Sequence, residues 1–329
     1  MEKLEGCVYF FLDNKKKIEQ KHKKTQFHKI VKNDFFIKNE IINVLKIQKI
    51  QNYKQFFYVF ENSYDLYTNN LKTNNNMLLK FDHCESIYLK SYLQSLSSPK
   101  IYILKIIQYY KYLLNSIHFL VNNKIVHNHI QFDSIMVDKT ELPLLSDFSF
   151  SVSTDLHVSF DRIKPFFIEY DPSYLEWPLE FHILSFLITN NLNSLSFSNI
   201  DHIITDVLEK NYILKTFGLE VVSTYKEEAI SYFKKYINQS YDYILTDIFL
   251  YSSTWDNYAL SILFLRILIG IHKTINTQNK FIIYFMKLLV TNIHLNPLKR
   301  LSIATTTNKF EAILESIEPK DYKEVFDRF

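Results

Sequence analysis

Two short stretches carry side chains able to move a proton or hold a metal ion. His127-Asn128-His129-Ile130-Gln131-Phe132-Asp133-Ser134 comes first, and Asp147-Phe148-Ser149 follows, with Asp147 lying 18 positions after His129. A neutral imidazole accepts a proton near pH 7, which makes His129 a candidate base. The Asp147 carboxylate offers a hard oxygen to magnesium, and the shorter, neutral Ser134 hydroxyl would hold a second ion poorly. Gln131 carries no charge with which to offset an anionic reactant. Asp133 reads as a turn or capping carboxylate.

In layout these stretches resemble the catalytic and metal loops of eukaryotic-type protein kinases, whose H-R-D-L-K-P-E-N and D-F-G are matched here by HNHIQFDS and DFS. The resemblance implies phosphoryl transfer from ATP with magnesium. It sets His129 where the base Asp is expected, Gln131 where a phosphate-contacting Lys is expected and Ser134 where the second metal ligand Asn is expected, while Asp147 keeps the first metal ligand. ATP and magnesium are therefore expected to bind weakly or not at all. Ser149 replaces a glycine, which restricts the backbone after Phe148.

More distant segments extend the resemblance. Trp177-Pro178-Leu179-Glu180 is similar to A-P-E with one extra residue, and Asn296-Pro297-Leu298-Lys299-Arg300 to D-P-x-x-R. In that family the Glu and Arg form a buried ion pair. Trp255-Asp256-Asn257-Tyr258 resembles the start of the helix whose Asp holds the catalytic-loop backbone. His127 and Phe148 match the family's hydrophobic spine, with Val44 as its member from the small-lobe helix. Lys32 matches the lysine of V-A-I-K, with Lys29 as the alternative, and Glu40 is the candidate to pair with it. Two solvated lysines on an edge strand is the competing reading of that pair.

The elements that must position these residues follow from patterning. Cys7–Leu12, Gln26–Lys32, Phe56–Phe60 and Met77–Phe81 read as strands, and 70–76 as a polar loop. Asn33 or Asp34 can cap a helix with Ile37, Ile41, Val44 and Leu45 at helical spacing. Asp82–Glu85 would be a hinge. Ser97-Ser98-Pro99 starts a long helix with Ile103, Ile106, Ile107, Tyr110, Leu113, Leu114, Ile117 and Leu120 on one stripe, ending at Asn122-Asn123. The expectation is an α+β, bilobal protein kinase-like fold: a small β-rich lobe over 1–81 and a large, mainly helical lobe over 82–329, with a helical insert at about 184–249.

The chain of 329 residues is 47% hydrophobic and 22% charged, enough for a two-lobed globular domain. A formal charge of +3 gives no general affinity for nucleic acid or membrane. Its two cysteines build neither a disulfide framework nor a zinc site. No apolar run reaches membrane-spanning length, and the first residues do not read as a signal peptide, so an intracellular, cytoplasmic protein is expected. Three glycines in all, with Gly6 alone in the first lobe, leave no usual glycine-rich phosphate loop. The lysines between 15 and 24 read as a solvated loop, and Ser151, Ser153, Thr154 and Tyr170 as candidate phosphate acceptors.

Residues that hold the fold are kept while those that move phosphate are altered. The chain is thus expected to be a pseudokinase that binds a protein partner, whether a kinase, a substrate or a host factor. The alternative is a divergent serine/threonine kinase using magnesium bound at Asp147. PFFIEYDPSYLEWPLEFHILSFL and TWDNYALSILFL are also similar to kinase-like proteins of large nucleocytoplasmic DNA viruses, which would place it in host cytoplasm.

Overall fold

The computed structural model describes residues 27–68, 71–82, 86–154, 163–167, 169–271 and 279–317, with the backbone alone for 66–68 and 71–75. The expected strand Cys7–Leu12, the lysine-rich run and hinge residues 83–85 lie outside them. The chain is α+β, with small sheets in its first half and a mainly helical C-terminal part.

Strands β1 (Phe27–Lys32), β2 (Asn62–Thr68) and β3 (Leu71–Phe81) form an antiparallel sheet with β3 in the middle. The register pairs Phe27 with Phe81, Lys29 with Leu79 and Val31 with Met77. Because successive side chains alternate across a sheet, Phe27, Lys29 and Val31 share the face of buried Met77, Leu79 and Phe81. Lys32 falls on the opposite face and is exposed.

Two expectations need correction here. The polar stretch 70–76 is no loop from Leu71 onward, since Leu71 and Asn76 pair with Thr68 and Leu66 of the hairpin partner. Backbone pairing satisfies those residues whatever their side chains prefer. Phe56–Phe60 forms no strand of this sheet. It follows a 3-10 turn (Tyr53–Gln55) and runs beside Leu145, whose carbonyl accepts the Tyr58 N–H at 2.8 Å and whose N–H donates to the Phe56 carbonyl at 3.0 Å. Its aromatic rings mark core, with Phe57 and Phe60 buried, rather than strand periodicity.

Helix α1 (Phe35–Ile47) is capped by Asp34, whose carboxylate accepts the Ile37 N–H at 3.1 Å. Its stripe is rotated from the expected one: Asn43, Val44 and Ile47 are buried while Leu45 is exposed. Val44 packs with Phe60, Leu79 and Phe81 under the sheet.

Next come β4 (Ser86–Tyr88), α2 (Leu89–Ser95) and α3 (Pro99–Asn122), with Ser98 capping α3 and Pro99 opening it. Strands β5 (Ile125–Val126), β6 (Ile135–Asp138), β7 (Pro143–Leu145) and β8 (Val152–Ser153) follow. β4, β6 and β7 make one sheet, and β5 pairs with β8.

The C-terminal part comprises α4 (Leu179–Thr189), α5 (Phe197–Lys210), α6 (Tyr212–Lys215), α7 (Leu219–Phe233), α8 (Tyr241–Phe249), α9 (Trp255–Gly270), α10 (Lys280–Asn292) and α11 (Ile303–Ser316). α9 is buried on nearly every side, as its continuous apolar sequence requires. The stretch 184–249 is helical as its pattern predicts, with Ile200, Ile203, Ile204, Val207 and Leu208 buried. It shares one core with α3 and α9 and is not an appended module. No helix among the described residues is long and apolar enough to cross a membrane.

Candidate functional site

The loop 127–134 bridges β5 to β6, so both ends are pinned by strands. Its first two residues are held by Asp256 in the first turn of α9. That carboxylate accepts the backbone N–H of His127 at 2.7 Å and of Asn128 at 2.8 Å, which matches the contact expected of it. His127 is wholly buried. Its Nε2 donates to the Ser146 carbonyl at 2.9 Å and its ring packs on Phe148, centroids 4.8 Å apart. Burial, helped by the neighbouring His129, pushes its pKa down to about 4, so the ring is neutral. Phe57 completes this stack edge-on to Phe148 at 5.8 Å, whereas Val44 sits in the separate cluster under the sheet.

His129 is engaged on both ring nitrogens. The Gln131 side-chain amide donates to Nε2 at 2.8 Å, which leaves the proton on Nδ1, and Nδ1 donates to the Tyr174 hydroxyl at 2.8 Å. The Tyr174 hydroxyl in turn donates to Gln131 Oε1 at 3.4 Å, closing a ring of three side chains. Phe150 stacks on the imidazole at 4.8 Å. Burial depresses the His129 pKa despite Asp147, Glu176 and Asp133 nearby. A neutral imidazole whose acceptor nitrogen is already bonded has no lone pair to offer a substrate hydroxyl.

Ser134 also faces inward. Its hydroxyl accepts the Gln131 N–H at 2.9 Å and donates to the Gln131 carbonyl at 3.1 Å, and the residue is fully buried. With Gln131 it closes the capping box of the turn Phe132–Ser134.

Asp147 has a left-handed backbone (φ 61°), and its carboxylate accepts the Ser149 hydroxyl at 2.5 Å. Desolvation by the surrounding protein favours its acid form although the residue keeps an exposed face, yet that hydrogen bond and the two nearby histidines outweigh it and hold the carboxyl below its usual range. Asp147, Asp133, Glu40 and Lys29 line a cavity of about 340 Å³ walled by Phe27, Tyr58, Phe81, Ile87 and Met136. Lys29, on the inner face of β1, reaches this cavity; Lys32 does not. Burial, reinforced by the Asp147 charge, pushes Glu40 up to about 7, and Lys29 only partly opposes it. Glu40 and Asp147 therefore behave as two carboxylates driven apart, one readily protonated and the other ionised.

Helix α1 is fastened directly to the segment after Asp147. The Asn39 side-chain amide donates to the carbonyls of Ser149 (2.8 Å) and Ser151 (2.9 Å), and the Asn43 amide to that of Ser151 (3.0 Å). Ser151 is fully buried, which removes it as an open phosphate acceptor, whereas Ser153 is half-buried beside the Lys46 ammonium at 3.0 Å.

Of the two magnesium ligand positions that the kinase resemblance implies, only Asp147 opens on the cavity, with one of its oxygens accepting the Ser149 hydroxyl, while the Ser134 hydroxyl is committed to its turn. Sequence reasoning missed Asn39, Asn43 and Tyr174. The buried asparagine amid the apolar positions of α1 was the readable signal for Asn43, since a polar side chain on such a stripe needs a partner. Tyr174 carries no local signal. The chain matches no protein-family model and no curated relative.

Proposed function

We propose that this chain has a bilobal protein kinase-like fold whose site does not transfer phosphate, and that it is a pseudokinase acting by binding a protein partner in the cytoplasm. One observation carries this reading: the candidate base His129 is closed into a ring with Gln131 and Tyr174 and offers no free acceptor. The inward Ser134 supports it from the metal side. Asp256 under the loop and the Glu180–Arg300 pair support the fold assignment, since each makes the contact that its matched motif implies.

The second reading, a divergent serine/threonine kinase, draws on Lys29, Glu40 and Asp147 gathering at one cavity. The two separate in a phosphotransfer assay with magnesium-ATP, run beside the variant His129→Asp/Gln131→Lys/Ser134→Asn. The expected outcome is no transfer by the unaltered chain. Autophosphorylation that disappears in Asp147→Ala would overturn the proposal.

A further inference from the structure

The cavity between β1, β3 and the loop 127–134 has a chemistry of its own. Its body is apolar and aromatic, with Phe27 and Phe81 in contact at 5.6 Å and Tyr58 stacked on Phe81 at 5.3 Å, and Ile87 and Met136 also in its lining. Its volume of about 340 Å³ suits a small planar molecule. Among the described lining residues one cation, Lys29, stands against three carboxylates, Glu40, Asp133 and Asp147. Asp133 and Asp147 are both solvent-accessible there, so they present charge to a ligand. A polyphosphate without a metal ion would meet like charge from Asp133 and Asp147, with neither Ser134 nor Gln131 turned to receive it.

We propose that this cavity binds a small planar aromatic cation, its ring seated among Phe27, Phe81 and Met136 and its positive charge directed at Asp133 and Asp147. Opposite charges a few ångströms apart in a partly desolvated pocket attract strongly enough to select between a cation and its neutral isostere. The assignment builds on the non-catalytic reading in one respect: no phosphate needs to be accommodated.

The test uses the full chain at pH 7.5 and low salt, titrated with 9-aminoacridine (a planar monocation at that pH), acridine (its neutral counterpart) and ATP with magnesium. The expected result is 9-aminoacridine binding about tenfold more tightly than acridine, an advantage that shrinks at high salt as the charges are screened. Asp133→Asn, at an exposed position, should reduce that advantage severalfold, and Asp147→Asn should do the same. The comparison of the two acridines on the unaltered chain carries the test even if Asp147→Asn does not fold. Equal binding of the two acridines overturns the charge assignment while leaving the non-catalytic reading intact. Magnesium-ATP binding more tightly than the cation overturns the ligand class, and phosphate transfer overturns both.

Discussion

The Glu180 carboxylate accepts two hydrogen bonds from the Arg300 guanidinium, at 2.8 and 2.6 Å, with both side chains wholly buried. They lie 120 positions apart in sequence and join the start of α4 to the turn before α11. Arg300 is further committed to the His294 carbonyl at 2.7 Å and lies over the Tyr258 ring at 5.1 Å. Removing one partner leaves a buried charge uncompensated. Arg300→Met should therefore cost about 3–5 kcal/mol in urea denaturation, and the double variant Glu180→Leu/Arg300→Met should recover part of that loss. Independent, additive effects of the two substitutions would contradict the coupling.

Asn43 makes a second long-range tie, from α1 to the Ser151 carbonyl. Asn43→Leu keeps the branched shape but leaves that buried carbonyl one donor short, at a cost of about 1–3 kcal/mol. Hydrogen exchange should rise both in α1 and in residues 149–152. Exchange unchanged at 149–152 would mean that Asn39 alone holds the helix to that segment.

Glu40 makes stability depend on pH. Its carboxyl is pushed up to about 7 in the folded chain from an ordinary 4.5, so between those values the folded state keeps a proton that the unfolded chain releases. That contribution is complete below about 4.5 and is lost as pH rises through 7. Glu40→Gln should match the unaltered chain near pH 4.5 and exceed its stability by roughly 3 kcal/mol at pH 8, since each tenfold change in proton affinity on folding is worth about 1.4 kcal/mol. A stability difference that does not change with pH would rule out this origin.

The ring through Tyr174 fixes the His129 tautomer. In nitrogen NMR the unaltered chain should show a single neutral tautomer protonated on Nδ1 and persisting at about pH 6.5, where an unperturbed imidazole is half protonated. Tyr174→Phe removes the acceptor for that proton and should yield a mixture of tautomers. An equal mixture in the unaltered chain would show that the ring does not close.

Much of this architecture is legible in the residues. The long helix α3 declares itself through a stripe of apolar positions, and α9 through an apolar run too continuous for any exposed face. Asp256, Glu180 and Arg300 stand out because the segments that carry them resemble kinase motifs, and not through local periodicity. The loss of charge at Gln131 and the weak reach of Ser134 are read from side-chain type once that register is set.

Which lysine reaches the cavity was not legible. Lys29 and Lys32 sit in one short strand, and only the pairing of β1 with β3 sets the parity that turns Lys29 inward and Lys32 out. The same holds for Leu45, which helical spacing brings to the apolar stripe but which the approach of α1 to the Asp147 segment turns to solvent in favour of Asn43.

By itself the sequence determined the α+β composition, the helices and the chemical types gathered around 127–147, because these depend on local periodicity and side-chain identity. Only the tertiary structure decided that His129 has no free nitrogen. Its partner Tyr174 lies 45 positions away, and a hydrogen bond of 2.8 Å between such residues exists only once the chain has brought them together.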